Sequence, residues 1–304
     1  MKKLAIDIGY GDVKVAYKDK DNNLKLFKYP TAIKRAKISA TQFGEEKNTY
    51  TFEGKKYIIE NKWTGDEIPT KSFEFLRKFA PLFLFHTIKL LKINPKDIEV
   101  YTGLSIFNWE HAEEFANRLA KVIVDDEVYN FNINLMAQGQ GVFIDAIKNL
   151  NINPDGRITV VDIGFNTTDV LIFDDGTPNK ILSYAEEFGV SKPINELINY
   201  ISKNYNFTIS EQGAKEIFVK NKIQMYGEEK DLSLVCNELK EDFTQLLIER
   251  LRNKIKDILR ESNYVIFSGG GAYYINQENL PNNVIFSPTP YEFANVRGYY
   301  EKEY

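Results

Sequence analysis

Apolar and polar positions alternate in short runs at the start of the chain. Leu4 to Ile8 and Val13 to Tyr17 are β-type segments on either side of Gly9-Tyr10-Gly11-Asp12, the spacing of a hairpin around a glycine-containing turn. A third such run covers Leu24 to Tyr29. From Pro30 to about Pro69 the sequence becomes polar and rich in turn residues. Candidate strands at Thr49 to Phe52 and Lys56 to Glu60 flank Glu53-Gly54, and the segment reads as a small inserted subdomain. Phe73 to Leu91 then carries apolar and aromatic residues at helical spacing despite Pro81. Ile98 to Gly103 reads as a buried strand and Asn108 to Lys121 as a second helix. A strand at Asn130 to Leu135 leads into Met136-Ala137-Gln138-Gly139-Gln140-Gly141. Helical periodicity follows from Val142 to Leu150, and the turn Asn153-Pro154-Asp155-Gly156 closes this half.

The second half begins as the first did. Ile158 to Ile163 and Asp169 to Phe173 are β-type runs around another glycine turn, an internal echo of the opening hairpin. Helical patterns occupy about Ser191 to Asn204 and Glu211 to Lys220. The clearest helix is Leu239 to Arg260, where Leu239, Phe243, Leu246, Leu247, Leu251, Ile255, Ile258 and Leu259 share one face. Tyr264 to Phe267 reads as a strand running into Ser268-Gly269-Gly270-Gly271-Ala272, with a helix expected from about Tyr273.

Composition narrows the class. With 304 residues and 43% hydrophobic content, the chain can bury the core of one large domain or two ordinary ones. A formal net charge of -4 gives no global attraction to nucleic acid or anionic membrane, so direct nucleic-acid contact is not expected. The single Cys236 excludes an internal disulfide framework, and His86 and His111 are the only histidines, too few for a zinc cluster. The apolar run after the two N-terminal lysines stops at Asp7, too soon for a signal peptide. No stretch approaches the ~20 apolar residues of a membrane span. A soluble protein of the reducing cytoplasm is the expectation.

Three motifs carry candidate chemistry. Asp7-Ile8-Gly9-Tyr10-Gly11-Asp12-Val13-Lys14 places a carboxylate at a strand end beside a turn whose two glycines let backbone N–H groups approach an anion. Asp7 would face Mg²⁺ through water, because that ion keeps much of its hydration shell, and Lys14 would neutralise phosphate charge. Read alone, an ordinary glycine hairpin with a surface Asp and Lys fits this stretch equally well. Asp162-Ile163-Gly164-Phe165-Asn166-Thr167-Thr168-Asp169 repeats the strand, glycine turn, strand logic and adds the hydroxyls of Thr167 and Thr168. The blander alternative is that Asp162 and Asp169 only cap turns. Two like hairpins imply two like subdomains, each offering a backbone loop and an aspartate to one triphosphate. Gly269, Gly270 and Gly271 are costly in folding entropy unless the backbone must approach something closely; a nucleoside is one candidate and a tight ligand-free turn another.

Taken in this order, the motifs resemble the actin, heat-shock chaperone and sugar-kinase superfamily, with its two phosphate loops and late adenosine glycines. The resemblance spans Asp7 to the C-terminal segment. It implies an α/β class and an actin-like ATPase fold, in which two related domains with mixed sheets and flanking helices surround a nucleotide cleft. The expected domains are residues 1–150, with a small inserted subdomain at about 30–70, and residues 151–304, with an inserted helical subdomain at about 185–258. A C-terminal segment would return toward the first domain. The M-A-Q-G-Q-G segment and the ending Pro-Tyr-Glu-Phe-Ala-Asn-Val-Arg-Gly-Tyr-Tyr are similar to prokaryotic actin-like proteins of the ParM/StbA and archaeal types. That likeness implies ATP and Mg²⁺ as ligands, self-association into filaments, and plasmid or DNA segregation through a DNA-bound adaptor protein.

The resemblance also assigns residues. Gln138 falls where relatives orient the attacking water, although Ala137 stands where many carry proline, and a helix-capping role beside Gly139 is the alternative. Asp7 and Asp162 join it as catalytic and metal-facing groups. Gly189, Ser191 and Lys192 would approach ribose and phosphates, Glu211 and Lys215 the ribose or base, and Tyr273 or Tyr274 could pack on the base, each being otherwise an ordinary helix-start, surface or core residue. Two rivals remain at this stage. A small-molecule kinase of the same fold would need an acceptor-site carboxylate constellation, which the segment between the loops does not display. A nucleotide-gated regulator that does not polymerise is not separable by sequence.

Overall fold

The computed structural model describes residues 2–36, 47–62, 66–69, 72–278 and 280–302. The chain divides into two compact units, one of Met1–Ile152 with Ser287–Tyr304 and the other of Asn153–Phe286.

In the first unit β1 (Lys2–Ile8) pairs antiparallel with β2 (Asp12–Lys18), and β2 with β3 (Leu24–Pro30). Short strands β4 (Ile33–Arg35), β5 (Thr49–Phe52) and β6 (Lys55–Ile59) follow, then helix α1 (Phe73–Leu91) and strand β7 (Ile98–Leu104). A 3-10 segment, Ile106–His111, precedes α2 (Ala112–Ala120), after which come β8 (Lys121–Val124), β9 (Glu127–Asn130), β10 (Asn132–Ala137) and α3 (Gln140–Leu150). The second unit runs through β11 (Arg157–Ile163), β12 (Thr168–Asp174), β13 (Thr177–Glu186), α4 (Ser191–Tyr205) and α5 (Glu211–Lys220). It continues with β14 (Lys222–Met225), β15 (Glu228–Asp231), α6 (Ser233–Glu261), β16 (Tyr264–Ser268) and β17 (Val284–Phe286). The chain then returns to the first unit and ends in α7 (Ala294–Glu301).

The main sheet of the first unit has the order β10-β7-β1-β2-β3, and that of the second β13-β12-β11-β16-β17. In each, a central strand pairs antiparallel with its hairpin partner and parallel with its other neighbour. Parallel pairing explains the unbroken apolar run of β1, since both faces of a central strand are covered. Leu4, Ile6 and Ile8 enter the core with α1, whereas Ala5 packs with Phe293, Val296 and Tyr299 of the C-terminal segment. Alternation therefore puts Asp7 on the α7 side of the sheet.

The small sheet of the first unit has the order β4-β6-β5-β8-β9. Its last two strands lie outside the expected inserted segment, and part of that segment, residues 37–46, 63–65 and 70, lies outside the described residues. The expected helix to Lys121 is thus corrected: it is a 3-10 segment plus the shorter α2. The β-branched run Val122-Ile123-Val124 then turns at Asp125-Asp126, both at positive φ. Two consecutive positive φ values also mark Glu53-Gly54, Asp175-Gly176 and Tyr226-Gly227, the type I′ pattern that joins two-residue hairpins. Helix α6 begins at Ser233, ahead of the expected Leu239, and is kinked at Ile255.

Candidate functional site

In the first hairpin Asp7 stands directly across from Lys14, and the Lys14 Nζ lies 3.0 Å from the Asp7 Oδ2. Asp7 is 3% exposed, so the ion pair is largely removed from water. The turn at residues 9–12 stays partly open to solvent. Its carbonyls are tied from behind: the Gly9 N–H donates to the Asp12 carbonyl at 3.2 Å, the buried Thr31 donates its hydroxyl to the Gly9 carbonyl at 2.7 Å, and the Thr31 N–H donates to the Gly11 carbonyl at 3.1 Å. A turn held this way is pre-organised for a ligand at its mouth. Tyr10 packs against the apolar core and so anchors the turn.

Gln138 joins this group. It lies between β10 and α3, its N–H donates to the Leu104 carbonyl at 2.9 Å, and its side-chain Nε2 donates to Asp7 Oδ1 at 2.8 Å. Asp7, Lys14 and Gln138 are thus brought together within the first unit.

The second hairpin repeats the geometry with different charge. Asp162 stands across from Asp169, both buried, and the Gly164 N–H donates to the Thr167 carbonyl at 2.8 Å, the counterpart of Gly9 on Asp12. Residues 164–167, including Asn166 and Thr167, are partly exposed. The carbonyls of Gly164 and Phe165 accept the N–H groups of Val190 at 3.2 Å and Ser191 at 2.8 Å, so the start of α4 braces this turn as Thr31 braces the first. Gly189 is required there, because a Cβ would lie 2.7 Å from the Phe165 carbonyl carbon. Thr168 departs from expectation. It is fully buried and its hydroxyl donates to the Phe188 carbonyl at 2.6 Å, which makes it a tie between turn and α4 rather than a donor at the mouth.

Lys215 places its Nζ 4.5 Å above the Phe165 ring, so α5 does reach the second turn, and Lys192 lies 5.5 Å over the Phe188 ring. Glu211 is exposed in the first turn of α5, which Ser210 caps by accepting the Gly213 N–H at 3.1 Å.

Two of the late glycines have a local cause that fits the tight turn, one of the two readings the sequence left open. Ser268 is buried and registers with Asp162 across the parallel β11–β16 pair. Gly269 has φ of 80°, and a Cβ there would collide with the Asp162 carboxylate. A Cβ on Gly271 would collide with Ile163. The close approach these two glycines permit is therefore to β11. Gly270–Tyr274 forms a 3-10 turn in place of the helix expected from Tyr273. Tyr274 packs on Phe218 with ring centroids 4.9 Å apart, whereas Tyr273 is half exposed beside the glycines.

Each turn has the chemistry to meet an anion through backbone N–H groups, with Lys14 adding charge at the first. Among the described residues no group of three or more His, Cys, Asp or Glu side chains gathers to cage a metal. The directly opposed Asp162 and Asp169 put two carboxyl groups on one face of the second hairpin, a set of oxygen donors that suits a hydrated divalent cation such as Mg²⁺.

Comparison with known families resolves what fold these hairpins belong to. Residues 5–141 match the N-terminal domain of actin-like proteins, and residues 160–280 match the C-terminal domain of the archaeal MreB-like actin homologues. The chain belongs to the actin-like ATPase superfamily. Solved structures share the actin-like fold. An archaeal actin homologue superposes with a TM-score of 0.79 at 22% identity, covering 99% of this chain and 98% of that one. The same homologue in complex with ADP gives 0.77 at 21%, with the same coverage. A ParM from Clostridium botulinum, solved as a 15-stranded filament, gives 0.75 at 20%, covering 99% of this chain and 98% of that one. No curated protein sequence matches the chain.

Four contributors to this actin-like site, Thr31, Asn295, Asp145 and Arg297, are not among the residues that the motifs assigned to it. Thr31 acts through its position beside the first turn. Asn295 accepts the Gly139 N–H at 2.9 Å, and Asp145 pairs with Arg297 beneath it. The one sequence sign was polarity at Asn295 and Arg297 inside an otherwise apolar and aromatic C-terminal stretch.

Proposed function

We propose that this actin-like protein binds ATP with Mg²⁺, hydrolyses it slowly, and polymerises into dynamic filaments whose task is plasmid or DNA segregation through a DNA-bound adaptor. The observation that carries the reading is the matched register of the two hairpins, Asp7 across from Lys14 and Asp162 across from Asp169, each closing a braced and half-open glycine turn. The ADP complex of the archaeal homologue and the filament of the clostridial ParM support it by likeness of fold.

In this mechanism the turn amides of residues 9–12 and 164–167 hold phosphate oxygens, and Lys14 offsets their charge. Asp7 and Asp162 would hold Mg²⁺ through its water ligands, and the ion would supply further neutralisation of phosphate charge. Gly269 to Gly271 and Tyr273 would face the nucleoside, and Glu211 and Lys215 its ribose or base. Gln138 orients the attacking water. An amide is too weak a base to take the proton at neutral pH, so its contribution is placement. Its hydrogen bond to Asp7 Oδ1 holds it in reserve, and assembly would shift it into line, making hydrolysis a timer for filament loss.

The test is sedimentation and electron microscopy with ATP, ADP and no nucleotide, alongside phosphate release. Filaments are expected with ATP and shorter-lived material with ADP. Protein that stays monomeric at high concentration with ATP overturns polymerisation. Nucleotide affinity unchanged by both Asp7→Ala and Asp162→Ala overturns the site itself.

A further inference from the structure

The loop that carries Gln138 is fixed from three directions. The Ala137 N–H donates to Gln140 Oε1 at 3.1 Å, the Gln138 N–H to the Leu104 carbonyl at 2.9 Å, and the Gly139 N–H to Asn295 Oδ1 at 2.9 Å. The last of these differs in kind, because its acceptor belongs to α7 at the far end of the chain. The Gly139 N–H belongs to the peptide plane that starts at the Gln138 carbonyl, so holding it sets ψ of Gln138, and the bond to Leu104 sets the other side. Gly139 itself has φ of 90° and ψ of -28°, a conformation that side-chain-bearing residues avoid and that an external acceptor helps to hold.

Asn295 is itself immobile. It is 6% exposed, and α7 is locked to α3 beneath it: Arg297 Nε and Nη2 donate to the Asp145 carboxylate at 2.8 and 2.7 Å, and its remaining N–H groups reach the Pro290 and Pro288 carbonyls at 2.9 and 2.6 Å. Gly141 lets the two backbones touch, since a Cβ there would lie 2.7 Å from the Asn295 Cα. Such an anchored side chain can transmit position.

We infer that Asn295 is a positioning residue for Gln138, through which α7 sets the reach of the Gln138 amide toward Asp7 and toward the attacking water. The inference rests on the hydrolytic reading of Gln138 for its consequence, and on geometry alone for the positioning. Release of the Gly139 N–H lets the peptide rotate. Displacement of a water-orienting amide by a fraction of an ångström to 1 Å lowers turnover by about ten- to a hundredfold.

The experiment combines Asn295→Ala and Asn295→Asp with Gln138→Ala. Single-turnover phosphate release, ADP affinity, and NMR of the nucleotide-free protein are read for each. Asn295→Ala is expected to slow phosphate release about tenfold or more with ADP affinity unchanged, and to have little further effect once Gln138 is Ala. Asn295→Asp keeps the acceptor and should restore Gly139 amide protection. In the nucleotide-free protein, Asn295→Ala should shift the Gln138 side-chain amide resonances and speed Gly139 exchange. An equal loss of turnover in both Gln138 backgrounds, or Gln138 resonances that do not move, overturns the inference. If the unaltered protein releases no phosphate, hydrolysis falls, while the NMR comparison still decides the positioning. Should Asn295→Ala not fold, Asn295→Ser, whose hydroxyl is too short to reach, takes its place.

Discussion

His86 shows how a single buried polar group couples this fold to pH. It is fully enclosed on α1, where the Tyr29 and Tyr50 rings meet its imidazole edge-on at 5.3 and 5.7 Å and the Tyr50 hydroxyl lies 2.8 Å from Nδ1. Burial pushes its pKa down to about 4, so the folded protein keeps it neutral, whereas the unfolded chain takes up the proton near the ordinary value of about 6.5. Stability from this site is therefore complete above about pH 6.5 and is lost progressively as pH falls toward 4, by about 3 kcal/mol in all. His86→Phe is expected to flatten that part of the profile. Urea unfolding of both proteins at pH 7 and pH 4.5 checks it, and an identical pH dependence would refute the assignment. At this same scale, the residues legible in the sequence were those inside glycine motifs, such as Asp7 and Asp162, because a turn's chemistry is local. Thr31 serves the first turn and Asn295 the Gly139 N–H beside Gln138, each from a distant chain position, and no spacing in the sequence ties them to those loops.

Among elements, helices α1 and α5 and the hairpin of β5 with β6 could be read, whereas the hairpins of β8 with β9 and of β14 with β15 could not. The nineteen residues of α1 and the ten of α5 have the bounds that periodicity and end signals gave, because several turns of amphipathic repeat outweigh any local ambiguity. Strand β15, Glu-Glu-Lys-Asp, carries no apolar alternation, and only Tyr226-Gly227 hints at its hairpin. Its partner β14 buries just Met225, in the cluster that also holds Ala214, Ile217 and Phe218 of α5, and the two strands are joined by their backbone ladder. The contact of α3 with α7 is the opposite case, where glycine spacing is meaningful only once both helices are in view. A Cβ on Gly298 would collide with the Gly141 carbonyl, and one on Gly103 with the Tyr299 hydroxyl. Gly298→Ala is accordingly expected to cost about 3 kcal/mol by overpacking. Asp145→Ala should cost about 3–5 kcal/mol, because it leaves the buried Arg297 guanidinium without its carboxylate. Thermal and denaturant unfolding measure both. A Gly298→Ala protein of unaltered stability would mean that the helices can separate without penalty.

For the whole molecule, the path of the chain has a consequence that neither sheet reveals by itself. The second unit is one continuous stretch, Asn153–Phe286, whose apolar cluster, among the described residues, is made of its own, from Val161 to Phe286. The first unit is discontinuous. Its sheet face at Ala5, Ala16, Tyr101 and Met136 is covered by Phe293, Val296 and Tyr299, and Tyr299 is fully buried there. A fragment of residues 153–286 is therefore expected to fold alone, with cooperative thermal unfolding by circular dichroism. A fragment of residues 1–152 keeps α1 and its core yet exposes that second face and leaves Asp145 without Arg297, at a cost comparable with the whole stability of an ordinary domain. It should lack a cooperative transition until a peptide of residues 287–304 is added. The midpoint should then rise with peptide concentration, as mass action requires when a ligand binds only the folded form. A 1–152 fragment that unfolds cooperatively with no peptide, at the same midpoint with and without it, would show that α7 is an accessory to this unit and not part of its core.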